Sequence, residues 1–355
     1  MSVSTAIPAK ETTRKPVATM ERAGFKSPQC STIGQNNYPP KNTPVSDSRF
    51  SVVSLFSGCG GLDLGFVGGF EFLGAYYEKT LFDIAWANEI NSAACRTYRK
   101  NIGGHIVEGD IWDALPNAPE SADIVIGGFP CQDISVNGKG AGVEGKRSRL
   151  YLAMVEAVSR IRPKVFVAEN VKGLLMKHNK KSLEQVLSDF RALGYEVSYR
   201  LYQAVDFGVP QTRERVFIVG TRPDAATFVH PEPVCSSYTT AREAIGDVEH
   251  LDEDEEFNHI WSLADKSPEQ GNRKMVAERA GYTIRAECHG NMQFHYSLPR
   301  RISMREAARF QSFPDSFIFD AKLRETKRQV GNAVPPVLAW HIAKAVENVL
   351  TGGEA

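Results

Sequence analysis

Cys131 stands in a setting suited to nucleophilic attack. It follows a proline in Gly127-Gly-Phe-Pro-Cys-Gln132, directly after the apolar run Asp123-Ile-Val-Ile126. The proline stiffens the loop, and a thiolate is the right nucleophile for a soft, electron-poor ring carbon. The cysteines at 30, 59, 95, 235 and 288 lack this setting. No C-x-x-C pair occurs, and Cys288-His289 has no partner ligands at zinc spacing. Neither a metal site nor a disulfide framework is expected, and the thiols read as free in a reducing cytosol. Glu169 heads Glu169-Asn-Val171 at the end of a second apolar run, Val165-Phe-Val-Ala168. Beside a bound base, a carboxyl group whose pKa is raised by burial could protonate a ring nitrogen. Arg213 and Arg215 alternate in Gln211-Thr-Arg-Glu-Arg215. In an extended chain they share one face, which could hold a base oxygen or a phosphate, or could carry plain edge-strand charge.

A second group of residues describes a nucleoside pocket. Phe56-Ser-Gly-Cys-Gly-Gly61 follows the strand pattern Ser51–Phe56. Glycines there let the backbone approach a ligand closely, although the third glycine of a dinucleotide fingerprint is missing. Glu89 follows the next strand, where a carboxylate can accept hydrogen bonds from ribose hydroxyls. Asp110, in Gly109-Asp-Ile111, could bind an adenine amino group. Taken singly, each reads as a structural turn or a solvated acid. Their recurrence after successive strands favours the pocket.

The elements that must position these residues alternate between short apolar strands and amphipathic helices, the pattern of a parallel α/β sheet. Strands are expected at 51–56, 83–88, 123–126, 165–168 and 216–219, and helices at 92–100, 150–160 and 182–193. Ligands in such sheets sit beyond the carboxyl ends of the strands, where the residues above fall. The alternation fades between about 223 and 300, which suggests a smaller domain of different architecture. Residues 302–310 are amphipathic and 337–349 form a clean helix pattern.

Bulk properties narrow the class. The 355 residues are 42% hydrophobic and 24% charged with zero formal net charge, as in a globular protein. No apolar run approaches the roughly 20 residues of a membrane span, and no signal-peptide core appears, so a cytoplasmic location without membrane contact is expected. Residues 1–49 read as a disordered tail of net charge +4, an inert leader or a weak attraction to nucleic acid. The basic runs 177–181 and 299–309 and the acidic run 252–256 read as solvated faces.

In order, the motifs resemble those of the DNA (cytosine-5)-methyltransferase family. The resemblance covers most of residues 52–346. It runs through Phe56-x-Gly-x-Gly60, Asn88-Glu89, Gly109-Asp110, Pro130-Cys-Gln132, Glu169-Asn-Val171 and Gln211-x-Arg-x-Arg215, then Arg305-Glu-Ala-Ala-Arg-Phe-Gln-Ser-Phe-Pro314 and Gln329-Val-Gly-Asn-Ala-Val-Pro335. It implies a Rossmann-like, S-adenosylmethionine-dependent methyltransferase fold with a small target-recognition domain. The expected parts are the tail (1–49), a catalytic cofactor-binding domain (50–222), the recognition domain (223–324) and a C-terminal segment rejoining the catalytic domain (325–355).

By the same resemblance, Cys131 attacks C6 of cytosine, Glu169 interacts with N3, and Arg213 and especially Arg215 hold the base near O2. Phe56, Gly58, Gly60, Glu89, Ile90, Asp110, Ile111, Pro130 and Leu150 should line the S-adenosylmethionine pocket, and Asn332 should hold its methionine end. The substrate is a short specific sequence in double-stranded DNA, with the target base flipped out of the stack. Gln132 and Ser135 belong to a loop, 132–149, that closes over DNA; Arg285, His289 and Asn291 are candidates for reading base edges. The compact recognition region suggests a prokaryotic modification enzyme paired with a restriction endonuclease, and the resemblance implies a monomer. Competing readings are a tRNA cytosine-5 methyltransferase, a catalytically inactive DNA-binding homologue and a nicotinamide oxidoreductase. The Cys-Phe-Thr triplet of the tRNA branch is missing, retention of Cys131 and Glu169 argues against an inactive homologue, and an oxidoreductase leaves Pro130-Cys-Gln132 unexplained.

Overall fold

A computed structural model describes residues 49–129, 149–262, 274–286 and 293–352. Strand β1 (Phe50–Leu55) leads through a glycine turn into α1 (Gly61–Val67) and a small hairpin, β2 (Phe70–Phe72) and β3 (Ala75–Tyr77). Then come β4 (Phe82–Glu89), α2 (Ser92–Asn101), β5 (Ile106–Glu108), α3 (Ile111–Ala114), β6 (Ile124–Gly128) and α4 (Arg149–Ile161). They are followed by β7 (Val165–Val171), α5 (Lys180–Ala192), β8 (Glu196–Gln203), β9 (Gln211–Thr212) and β10 (Glu214–Thr221). The remaining elements are α6 (Ala241–Ile245), β11 (Gly281–Tyr282), α7 (Met304–Phe310), α8 (Leu323–Asn332) and α9 (Pro336–Thr351).

Seven strands form one sheet in the order β5-β4-β1-β6-β7-β10-β8. Its two faces follow from the period-2 alternation of the strands. Val52, Ile124, Ile126, Val165 and Val167 join one buried layer with α1, α2 and α9. Val53, Val125, Phe166 and Ala168 join the other with α3, α4 and α5. Both layers are apolar, which is why the central strands read as continuous hydrophobic runs. A third buried cluster gathers α6, α7 and Phe313, Phe317 and Phe319.

The sheet is dominated by parallel strands, as the α/β pattern predicts, with one exception at its far side. β10 runs antiparallel to both β7 and β8. The connection from β8 to β10 holds only the 3-10 turn Ala204–Phe207 and β9, with no crossover helix, so the two strands cannot run parallel. β8 escapes sequence reading because only one of its residues is fully buried. The expectation of free thiols also changes: Cys59 and Cys95 are free and buried, whereas Cys235 is disulfide-bonded.

The basic run 299–309 is not a solvated face. All of α7 is buried, with Arg305 at 0% and Arg309 at 5% exposure. Arg305 donates to the carbonyls of Phe257, Pro314 and Phe317, and Arg309 is held by Asp247 and Asp315. Among the described residues, no helix is long and apolar enough to cross a membrane.

Candidate functional site

The sheet brings the chemistry-bearing residues to one edge. Gly128 at the end of β6 lies opposite Glu169 on β7, and Arg215 at the start of β10 lies opposite Val171. The antiparallel course of β10 is what places its amino end beside the carboxyl ends of the parallel strands. Glu169 Oε1 and Arg215 Nε form an ion pair at 2.7 Å, with side-chain exposures of 11% and 10%. Burial raises the Glu169 pKa, against the opposing pull of Arg215 and Arg213. A carboxyl group held partly toward its neutral form beside a guanidinium is equipped to share a proton with a nearby base. Oε2 makes no hydrogen bond among the described residues. A Cβ at Gly128 would lie 2.8 Å from this oxygen, so glycine is required for Glu169 to keep its position.

Pro130, Cys131, Gln132 and Ser135 lie outside the described residues, as do His289 and Asn291. The last described residue before Pro130 is Phe129, whose carbonyl accepts a 2.9 Å hydrogen bond from Asn170 Nδ2. The strand that carries Glu169 therefore anchors the backbone at Phe129, just before Pro130 in sequence.

The two arginines of Gln211–Arg215 do different things. Arg215 faces Glu169. Arg213 is wholly buried, and its terminal nitrogens donate to the carbonyls of Ile284, Gly331 and Ala333 at 2.8–2.9 Å. Its Nε is buried without a hydrogen-bond partner among the described residues. Burial and Arg215 push its pKa well down. Of the pair, only Arg215 meets the catalytic carboxylate candidate directly.

The cofactor candidates form an open ledge on the other half of the edge. The turn after β1 has Phe56 at φ 55°, Gly58 at φ 57° and Gly60 at φ 96°. Its glycines divide the work. A Cβ on Gly60 would meet Ile102 at 2.8 Å and Tyr98 at 3.0 Å, whereas none of the described atoms lies within 4 Å of a Cβ on Gly58. The first packs against α2 and the second faces open space. Glu89 clamps the turn: its Oε2 accepts from Gly58 N at 3.0 Å and its Oε1 from Asn91 N at 2.8 Å. Burial raises its pKa while these amides and Arg328 lower it. Ile90 beside it is 67% exposed. Asp110 is exposed and caps α3 by accepting from Trp112 N at 2.9 Å. Asn332 is exposed at the end of α8, and Leu150 is half-buried. Ile111 differs: its side chain is 3% exposed and packs in the core, which leaves only its backbone for a ligand. An exposed apolar side chain, two carboxylates and backbone bare of Cβ atoms at Gly58 and Gly109 suit a flat, polar-edged group such as adenosine.

Sequence reading missed Asp63. It is fully buried in α1 and accepts from Tyr98 Oη at 2.8 Å and Ser54 Oγ at 3.0 Å. Ser54 and Ser57 are joined at 2.9 Å, so Asp63 fastens the glycine turn to β1 and α2. Burial pushes its pKa up to about 6. The available signal was a lone acid inside the apolar stretch Leu62-Asp-Leu64.

Arg285 is exposed on the segment after β11. A cleft of about 500 Å³ is lined by Thr212, Tyr238, Thr240, Arg279 and Tyr282 among others.

Comparison with known proteins identifies the family and the fold. The family model of the C-5 cytosine-specific DNA methylases matches residues 50–285 and 256–348. The chain is 40% identical to the Type II methyltransferase M.NgoFVII of Neisseria gonorrhoeae, covering 86% of this chain and 88% of that one. It is 34% identical to M.MthTI of Methanothermobacter thermautotrophicus, covering 86% and 99%. Among solved structures, the fold is similar to a Spodoptera frugiperda DNMT2 mutant, with TM-score 0.64, 15% identity and coverage of 84% and 99%. A prophage-encoded methyltransferase of E. coli gives TM-score 0.59 at 23% identity, covering 85% and 99%.

Proposed function

The chain belongs to the C-5 cytosine-specific DNA methylase family and is a DNA cytosine-5 methyltransferase, and on that premise we propose a mechanism in which Cys131 adds to C6 of a flipped-out cytosine in a short specific DNA sequence. The observation that carries this reading is the buried pair of Glu169 and Arg215 at the sheet edge, on the strand whose Asn170 holds Phe129, two residues before Cys131. Unactivated C5 is a poor nucleophile. Addition of the thiolate to C6, with the Glu169 carboxyl hydrogen-bonding or protonating N3, moves electron density to C5. S-Adenosylmethionine, when bound, supplies the electrophilic methyl group. C5 takes the methyl group, then loses its proton, and expulsion of the thiolate restores the ring. Arg215 orients Glu169 and offers its remaining donors to the base oxygen. Arg213 supports it from behind.

Gly58 and Glu89 hold the ribose side of the cofactor, Ile90 and Asp110 the adenine, and Asn332 the methionine end; Phe56, Gly60, Ile111, Pro130 and Leu150 complete the wall. Flipping costs a few kcal/mol, offset by contacts from Gln132 and Ser135 and by base reading through Arg285, His289 and Asn291. The protein acts as a cytoplasmic monomer on double-stranded DNA, with a restriction endonuclease of the same specificity as partner. Residues 50–222 form the catalytic domain, 223–324 the recognition domain and 325–355 the returning segment.

The test is base-resolution mapping of 5-methylcytosine in unmethylated plasmid treated with the protein and S-adenosylmethionine. Methylation at one recurring short sequence, lost in Cys131→Ser, is the expected result. A folded protein that binds cofactor yet leaves no 5-methylcytosine would overturn the proposal.

A further inference from the structure

We infer that Arg213, with Gln211 and Gln311, is a positioning latch that couples occupancy of the DNA-reading segment to occupancy of the cofactor's methionine end. The inference rests on the assignments of Arg285 to DNA and Asn332 to cofactor made above. Three chain segments that are remote in sequence meet at these three side chains, and Gln311 reaches them from a fourth, the end of α7. The first is β9 and the start of β10, leading to Arg215. The second is 281–286, which carries Arg285. The third is 330–333, which carries Asn332.

Every contact is short, and all are buried except the two to Ala333 O, which are part-buried. Arg213 donates to Ile284 O on the reading segment and to Gly331 O and Ala333 O on either side of Asn332, at 2.8, 2.8 and 2.9 Å. Gln211 accepts from Ile284 N at 2.6 Å and donates to Phe310 O at 2.9 Å and Gln311 Oε1 at 2.5 Å. Gln311 donates to Val330 O at 2.7 Å and Ala333 O at 2.9 Å. The reading segment and the Asn332 loop also touch directly. A Cβ on Gly331 would lie 2.3 Å from Ala286 N and 2.5 Å from the carbonyl carbon of Arg285. Both Arg285 and Asn332 point outward from the latch region as exposed residues, and their backbone neighbours share one guanidinium.

Such a geometry does not let one segment move alone. A shift of 284–286 toward DNA drags Ile284 O, and the planar guanidinium has a fixed fork, so Gly331 and Ala333 must follow. Hydrogen bonds to a buried charge are costly to leave unmade, which keeps the three carbonyls and the cation together. Binding at either surface therefore biases the other, and linkage requires the effect to be reciprocal.

The experiment measures dissociation constants by calorimetry for S-adenosylhomocysteine, with and without a short duplex carrying the mapped site. In the native chain the duplex should tighten S-adenosylhomocysteine by at least about 5-fold, and the converse measurement should return the same factor. In Arg213→Lys, whose single ammonium cannot span three carbonyls, the factor should fall to near unity while each ligand alone still binds. Gln311→Met, which removes the bridge to Val330 and Ala333 and leaves the cation, should lower the factor in the same direction and decides the matter if Arg213→Lys fails to fold. A native chain that binds both ligands independently overturns the latch and leaves the proposed function standing, as does a folded variant that keeps the full factor. A native chain that binds neither ligand overturns the functional reading and the latch with it.

Discussion

Two carboxylate–guanidinium clusters lie in the interior, one at the sheet edge and one around α7, and they are built to opposite ends. At the edge, Glu169 makes an ion pair with Arg215 and keeps its second oxygen without a hydrogen bond among the described residues. Around α7, Glu306 has no exposed surface and both its oxygens are taken, by Arg300 at 2.7 and 2.8 Å and by Ser303 N at 2.7 Å. Arg305 and Arg309 are equally saturated. A saturated cluster fixes a shape and has nothing left to offer a ligand. A cluster with spare capacity, and with a carboxyl pKa raised by burial, keeps chemistry in reserve.

That contrast predicts opposite mutational signatures. Glu169→Gln keeps the shape and removes the proton, so turnover should fall by about 10²- to 10⁴-fold. Arg215 loses its buried partner, so some stability goes as well, about 3–5 kcal/mol at most; the signature is lost turnover per folded molecule, and turnover close to native would erase the distinction. Glu306→Gln strands the Arg300 charge in a buried setting. It should cost about 3–5 kcal/mol in urea unfolding, with turnover per folded molecule close to native. Lost turnover at native stability would place α7 in the chemistry instead.

The third signature is pH. Asp63 has a folded pKa of about 6 against an ordinary 3.8, so the unfolded chain gives up this proton first as pH rises. Its stabilising contribution is complete below about 4 and is lost as pH passes through 6, on the order of 3 kcal/mol across that window. Stability measured between pH 4 and 7 should therefore decline in the native chain relative to Asp63→Asn. Parallel curves would show that burial leaves this carboxyl unperturbed.

The strand ends were legible because buried parallel strands leave continuous apolar runs, and the polar residues that follow them stand out. The positions of Gly58, Glu89 and Glu169 at strand ends were read this way. The role of Arg213 was not legible, since alternate arginines look alike until remote carbonyls claim one of them. α7 misled for the same reason. Nothing in Arg305-Glu-Ala-Ala-Arg309 says that Phe257, from a loop 48 residues back, and Pro314 and Phe317, from the turn just after the helix, will satisfy an arginine. β8 was hidden because an edge strand buries little, and without β8 the short connection that sets the direction of β10 could not be seen. Asp63 was hidden because a single acid in an apolar stretch looks like an exception to a pattern.

The contact between α1 and α9 has a consequence for how the molecule is made. A Cβ on Gly65 would strike Ala339 Cβ at 2.3 Å and Pro336 O at 2.5 Å, so the two helices meet backbone to backbone. Their side chains share the buried layer over β1 and β4. As the chain emerges from the ribosome, the glycine turn and its helix appear early, and the surface that covers them appears only after nearly all the sheet has been synthesised. Until then one apolar face of the nascent sheet stays open to water and to chaperones. Closure of the C-terminal helix is therefore the step that should convert a protease-sensitive chain into a resistant one.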